Sequence, residues 1–377
     1  MKRVLVIAGE ISGDMHAARL VEAVQRREPD VAFFGIGGDA LRATGMDILI
    51  ESRDMAVMGL TDVIVRLSFF QYVMDEMMSL LHERKPDAVL LVDYPGFNLR
   101  FAARAKQRGV PVIYYICPQV WAWHRSRIPK IARIVDRLIC IFPFEPALFE
   151  KTALKVDFVG HPLAEVAAEI RNRDRHALPW PGTEHVALLP GSRMSEVRLL
   201  FPLLCRAAQL LEKQRPDAGF IVAAASEQVA AMMTSYLGEA ANRPDKIQIV
   251  TADTREVLVQ ARAAVVASGT ATIEAALMNC PMLVVYKMPA LSFLAARLVV
   301  RVDSVGMVNV VAGRRICPEL IQHAARAEAI VDALTPLIEP GPKRDSMLHG
   351  LDEVRRALGS GGTAEKAATI LLEELGD

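Results

Sequence analysis

The chain has 377 residues, of which 52% are hydrophobic, so it is long enough for two domains that each bury a sizeable core. Lys plus Arg and Asp plus Glu number 44 each, which argues against a global polyanionic partner such as a nucleic acid and leaves any basic surface local. Cys117, Cys140, Cys205, Cys280 and Cys317 form no C-x-x-C pair and sit in or beside apolar runs, the pattern of buried thiols in a reducing compartment.

The first apolar run, Val4–Ala8, passes at once into Gly9-Glu10, which reads as a strand entering a turn and not as a secretory leader. A helix follows over Asp14–Gln25, with Ala17, Leu20, Val21 and Val24 on one face. Further strands are predicted at 33–36, 88–92, 112–116, 139–142 and 156–159, with a helix over Leu99–Gln107. After a Pro- and Gly-broken stretch near 162–184 the rhythm restarts, with strands at 185–189, 220–224, 247–250, 263–267 and 282–286. Continuous apolar strands alternating with helices imply α/β architecture: two doubly wound Rossmann-like domains facing across a cleft. The expected division is 1–165, 166–345 and a helical tail over 346–377. The tail would pack back on the first domain or on a partner chain, the latter giving a homodimer. No apolar stretch reaches the roughly 18 residues that span a bilayer, so a cytoplasmic protein, soluble or membrane-peripheral, is expected.

In open α/β sheets ligands bind beyond the carboxyl ends of the strands, so motifs there carry the functional reading. Gly9-Glu10-Ile11-Ser12-Gly13-Asp14 is a glycine turn into a helix: it either holds an anion or sugar hydroxyls, or is a tight turn capped by Ser12 or Asp14. It is not G-x-G-x-x-G, which disfavours an NAD dehydrogenase. Asp93, at the end of an apolar strand, is a candidate general base or a cap for the Pro95-Gly96 turn. Gly191, Ser192 and Arg193 open a helix with a turn, a hydroxyl and a guanidinium suited to phosphate. Ser268, Gly269 and Thr270 repeat that arrangement. Glu274, one turn on, either accepts from ribose hydroxyls or complements the helix dipole. Two such turns on one domain point to a nucleoside diphosphate.

Two segments suggest lipid. Met55–Leu81 is rich in Met and Phe and includes Met58, Phe69, Phe70 and Val73, either an acyl-chain surface or a core helix. Pro118–Arg127 holds two tryptophans and leads into an amphipathic stretch with Arg127, Lys130 and Arg133, suited to anionic headgroups or simply a solvated basic face. No D-x-D triplet and no zinc-spaced His/Cys cluster occurs, so no metal and no cofactor is expected; Arg193 and helix N-termini would meet the diphosphate.

The ordered set GEISGD (9–14), GIGGDAL (35–41), VMGLTDV (57–63), VDYPGFN (92–98), PQVWAWHRSR (118–127), FPFE (142–145), FVGHPL (158–163), LLPGSR (188–193), ASGTATIE (267–274), CPMLVVYKM (280–288) and VGMVNVVAGR (305–314) resembles the lipid-A-disaccharide synthases, in family order across about four-fifths of the chain. The resemblance implies a glycosyltransferase-B-like fold and an inverting, metal-independent transfer. UDP-2,3-diacylglucosamine would be the donor and 2,3-diacylglucosamine 1-phosphate the acceptor, at the cytoplasmic face of the inner membrane, giving a β-1,6-linked lipid A disaccharide 1-phosphate. It implies Asn309 as a donor-side residue, with Glu10, Ser12 and Gly13 on the acceptor side. Some relatives carry an acidic residue where this chain has Gly96, leaving Asp93 as the carboxylate of that loop, with Glu10 the other candidate base. The alternatives are a UDP-sugar 2-epimerase on the same fold, which would turn over donor without acceptor, and a catalytically silent nucleotide- and membrane-binding protein.

Overall fold

The computed structural model describes residues 2–55, 67–122, 125–174, 177–240, 243–251, 254–289, 293 and 303–376. The chain divides into two compact units, residues 1–162 with 361–377, and residues 163–360.

The first unit is built on a seven-stranded parallel sheet: β1 (Arg3–Ala8), β2 (Ala32–Gly37), β3 (Asp47–Glu51), β4 (Ala88–Val92), β5 (Val112–Tyr115), β6 (Arg137–Cys140) and β7 (Lys155–Phe158), in the order β3-β2-β1-β4-β5-β6-β7. Val4–Ala8 and Ala88–Val92 are wholly buried, because helices cover both faces and leave no solvent side for a polar residue to face. The strand order reverses direction between β1 and β4. There the register pairs Ala8 with Val92, so both strands end level and their following turns emerge side by side.

The second unit carries a six-stranded parallel sheet: β8 (Glu184–Leu189), β9 (Ala218–Ala223), β10 (Ile247–Val250), β11 (Ala263–Ala267), β12 (Met282–Tyr286) and β13 (Glu319–Ile321), in the order β10-β9-β8-β11-β12-β13. Its reversal lies between β8 and β11, where Leu189 pairs with Val266. β3 and β13 were not expected from the sequence. β13 has only three residues, and each strand carries a glutamate, so neither shows a long apolar run.

The C-terminal region departs from the expected single tail. Residues 346–360 belong to the second unit, where helix Pro342–Ala357 buries Met347, Gly350, Leu351 and Val354. Only the last helix, Thr363–Leu375, joins the first unit. It buries Ala367, Ala368, Leu371 and Leu372, with Arg26 paired to Glu365 and Arg27 bonded to the Thr369 hydroxyl at 2.7 Å. Gly361 and Gly362 separate the two helices, both with positive φ, conformations glycine adopts without strain.

Candidate functional site

The four glycine and carboxylate motifs fall at the two points where strand order reverses. β1 delivers Gly9–Asp14 and β4 delivers Asp93-Tyr94. β8 delivers Pro190–Arg193 and β11 delivers Ser268–Thr270. In a doubly wound sheet the helices leave opposite faces at that point, which opens a crevice.

At the first reversal, Asp93 and Tyr94 both adopt left-handed backbone conformations, with φ of 45° and 49°. For non-glycine residues each costs on the order of 1–3 kcal/mol and needs outside support. The support is visible. The Asp93 N–H donates to the Tyr115 carbonyl at 2.9 Å. The Asp93 carbonyl accepts from Asn98 Nδ2 at 2.8 Å and from the Tyr114 hydroxyl at 2.5 Å. Tyr94 donates its hydroxyl to the Met55 carbonyl at 2.8 Å. Its ring lies against Gly9, where a Cβ would stand 2.6 Å from Tyr94 Cδ1, so residue 9 must lack a side chain. The Asp93 carboxyl is pushed up to about 6, first by burial and then by the negative charge of Glu10, partly offset by the Tyr94 N–H.

Glu10, whose charge reaches Asp93, is exposed, as are Ser12 and, at 72% and 52%, Ile11 and Met15. Gly13 faces inward, its nearest side-chain space bounded by Val92 at 3.7 Å. Asp14 serves a structural end: its buried carboxylate accepts from the N–H groups of Gly38, Ala40 and Leu41 at 2.6, 3.0 and 3.2 Å and caps helix Asp39–Ala43. The glycine-rich Gly35-Ile36-Gly37-Gly38 segment is thereby accounted for as the partner of this turn.

At the second reversal, Gly191 takes φ of 111°, and a Cβ there would stand 2.7 Å from Glu196 Oε2. Ser192 and Arg193 are exposed, and among the described residues the Arg193 guanidinium makes one long contact, 3.3 Å to Glu196 Oε1. Tyr286, at the end of β12, stands near the same two residues: burial and Glu196 raise its phenol, and Arg193 works against them. Gly269 and Thr270 are exposed, whereas the Ser268 hydroxyl donates to the Val305 carbonyl at 2.6 Å and organises the loop. Glu274 lies 3.8 Å from Arg255 Nε.

Three expected contacts need correction. Asn309 is 2% exposed with its amide saturated: Nδ2 donates to the Cys317 carbonyl at 2.9 Å and to Glu319 at 2.7 Å, and Oδ1 accepts from the Ile316 and Cys317 N–H groups, both at 2.9 Å. It has no capacity left for a ligand and acts instead by holding the Val305-Gly306 turn through Glu319, which accepts both their N–H groups at 3.0 Å. Val73 is wholly buried with Met74, Met77, Leu80 and Leu81 in the core, so it cannot touch lipid; Phe69 and Phe70 are half-buried against that core. Trp121 is 6% exposed and packs edge-on against Phe144 at 5.5 Å, an internal ring and not a membrane anchor. Met58, Trp123 and His124 lie outside the described residues. Arg127, Lys130 and Arg133 are exposed. Among the described residues no helix is long and apolar enough to cross a membrane.

Sequence reasoning missed Asn98, Tyr114 and Glu145. Glu145 is 1% exposed, accepts the Phe142 N–H at 3.0 Å, and is pushed up to about 8 by burial against hydrogen bonds that favour its charge. Its presence in FPFE was the only available signal.

Two parallel α/β units, each with a ligand-suited reversal point, define a glycosyltransferase-B-like protein. The fold is shared, at 16% identity and a TM-score of 0.65 over 99% of this chain and 98% of the other, with the glycosyltransferase of kitacinnamycin. A UDP-N-acetylglucosamine 2-epimerase from Listeria monocytogenes is similar at 14% identity and a TM-score of 0.63, over 99% and 95%. Within that class the chain belongs to the lipid-A-disaccharide synthetase family, whose pattern fits residues 4–371. It is 41% identical over 374 residues to the lipid-A-disaccharide synthase of Syntrophus aciditrophicus, covering 98% of this chain and 97% of that one.

Proposed function

We propose that the protein condenses UDP-2,3-diacylglucosamine with 2,3-diacylglucosamine 1-phosphate, releasing UDP and forming the β-1,6-linked disaccharide 1-phosphate with inversion. The observation that carries this is the division of chemistry between the two reversal points: a carboxyl of raised basicity at one, an arginine beside a glycine turn at the other. The acceptor 6-hydroxyl oxygen attacks the anomeric carbon and its proton passes to Asp93. The bond from that carbon to the diphosphate breaks, and its electron pair leaves with UDP. A base near 6 is ionised at neutral pH yet still takes a proton usefully. Arg193 meets the departing charge, aided by the turn at Gly269-Thr270. Exposed Ile11 and Met15 offer hydrocarbon to an acyl chain beside Glu10 and Ser12.

The lack of a D-x-D triplet supports a metal-independent reaction, with charge neutralised by Arg193. Lipid substrates call for work at the cytoplasmic face of the inner membrane, held peripherally by the exposed cations of 125–133. UDP release measured with and without acceptor, followed by mass spectrometry of the lipid product, tests the reading. Acceptor-dependent release with a disaccharide product is expected. Release without acceptor would replace it with an epimerase-like or hydrolytic activity.

A further inference from the structure

We infer that Tyr114 and Asn98 are positioning residues for Asp93: they hold its carbonyl so that its carboxyl stays at the strand end in a left-handed conformation. The inference rests on the reading of Asp93 as general base. Tyr114 is fully buried on β5, one strand from Asp93, and its hydroxyl reaches across to the Asp93 carbonyl at 2.5 Å. Asn98 is fully buried in the first turns of helix Pro95–Gln107. Its Nδ2 faces three carbonyls: Asp93 at 2.8 Å, Val92 at 3.2 Å and Ile7 at 3.4 Å. One amide thus ties the ends of β1 and β4 to the residue that follows β4. Among the described residues the buried Asn98 Oδ1 atom has no hydrogen-bond partner, and the polar contacts of the side chain there are the donations to these carbonyls.

The arrangement exceeds what the turn alone needs. A glycine at 93 would adopt the same φ without strain, but would carry no carboxylate. Keeping an aspartate there requires that its main chain be pinned, and two buried side chains do so from different elements. Released from them, residue 93 would relax toward an extended conformation, swinging its carboxyl out of the buried spot that raises its basicity. The bonds act on the main chain, so they leave both carboxylate oxygens unencumbered by Tyr114 and Asn98.

The test is a double-mutant cycle on kcat, with Tyr114→Phe and Asp93→Asn made singly and together. Tyr114→Phe keeps ring and volume and removes one hydroxyl. If that bond acts through Asp93, Tyr114→Phe should lower kcat by roughly 10- to 100-fold with little change in acceptor KM, as small misplacements do. The acid limb of its kcat/KM profile should move below about 6 as the carboxyl meets water. In the Asp93→Asn background the same change should cost almost nothing. An equal loss in both backgrounds, or no loss in the wild-type background, overturns the inference. Near-normal turnover of Asp93→Asn alone removes the base itself, and this inference with it. Asn98→Ala should behave like Tyr114→Phe; should it not fold, Tyr114→Phe decides alone.

Discussion

Glu10 and Asp93 leave the adjacent strands β1 and β4 at the same level, fixed by the pairing of Ala8 with Val92, and the charge of one raises the carboxyl of the other. Two carboxylates at neighbouring strand ends disfavour simultaneous ionisation, and burial adds to the effect. Glu10 is exposed, whereas Asp93 is the more buried of the two and its carboxyl is the one raised. Under the proposed reaction, that favours Asp93 over Glu10 as the proton acceptor.

The sign of the pH dependence follows. A base must be deprotonated to act, so kcat/KM should fall as pH drops through about 6. Glu10→Gln removes a like charge, favours ionised Asp93, and should move that limb to lower pH. Asp93→Asn should lower turnover by about 10²–10⁴-fold across the whole range. A pH series on the three proteins measures both; an unmoved limb in Glu10→Gln would assign the titration to another group.

Among the described residues Arg193 is held by one 3.3 Å contact to Glu196, at a side chain 79% exposed, so little would be lost if it turned to a diphosphate. In the proposed complex, charge-assisted bonds from this guanidinium to the diphosphate would each be worth about 1.5–3 kcal/mol. Arg193→Ala should therefore weaken UDP binding by roughly 10- to 100-fold by calorimetry, with turnover falling as well. Unchanged UDP affinity would place the diphosphate elsewhere.

Asn309 invites the opposite result. Truncation to Ala strands the N–H groups of Ile316 and Cys317 and removes the amide donor to the Cys317 carbonyl inside the second unit, while Glu319 keeps the Gly306 N–H. Each buried polar group left without a partner costs about 1–3 kcal/mol. Asn309→Ala should lower the thermal midpoint by several degrees, roughly 2–4 °C per kcal/mol for a domain of this size. A variant with wild-type melting but lost UDP binding would return Asn309 to the ligand.

What the sequence showed and hid has a common cause. β1, β4, β8 and β11 each carry a continuous apolar run that passes within two residues into glycine or, for β4, into Asp93, so both the strands and the motifs beyond them could be located without coordinates. Hydrophobic periodicity reports burial only when burial is apolar. Asn98, Tyr114, Asn309 and Glu145 are buried polar groups whose partners lie on other elements or across a loop, and no local spacing encodes such a pairing. The same limit misassigned Val73: Met-rich helix 67–84 reads alike as core or as lipid surface until the face turned to the sheet is known. The serine and aspartate of the first turn read alike as caps, and only the structure shows Asp14 capping a neighbouring helix instead of its own.

The proposed membrane attachment can be tested separately from packing. Arg125, Arg127, Lys130 and Arg133 are exposed along Arg125–Ile134, while Ile131 points inward and Ile128 and Ile134 pack against the core. The cations therefore lie on an outward face that can meet anionic headgroups, each worth about 1 kcal/mol near a charged surface. Reversing Arg127, Lys130 and Arg133 together to Glu should abolish flotation with phosphatidylglycerol-containing vesicles and leave the melting point nearly unchanged, since none of the three fills the core. Val73→Asp places a charge in the buried cluster and should unfold the first unit before any effect on binding can be read. If the triple reversal floated as well as wild type, attachment would have to come from the partly exposed apolar side chains, Leu67, Phe69, Phe70 and Tyr72 at the start of helix 67–84.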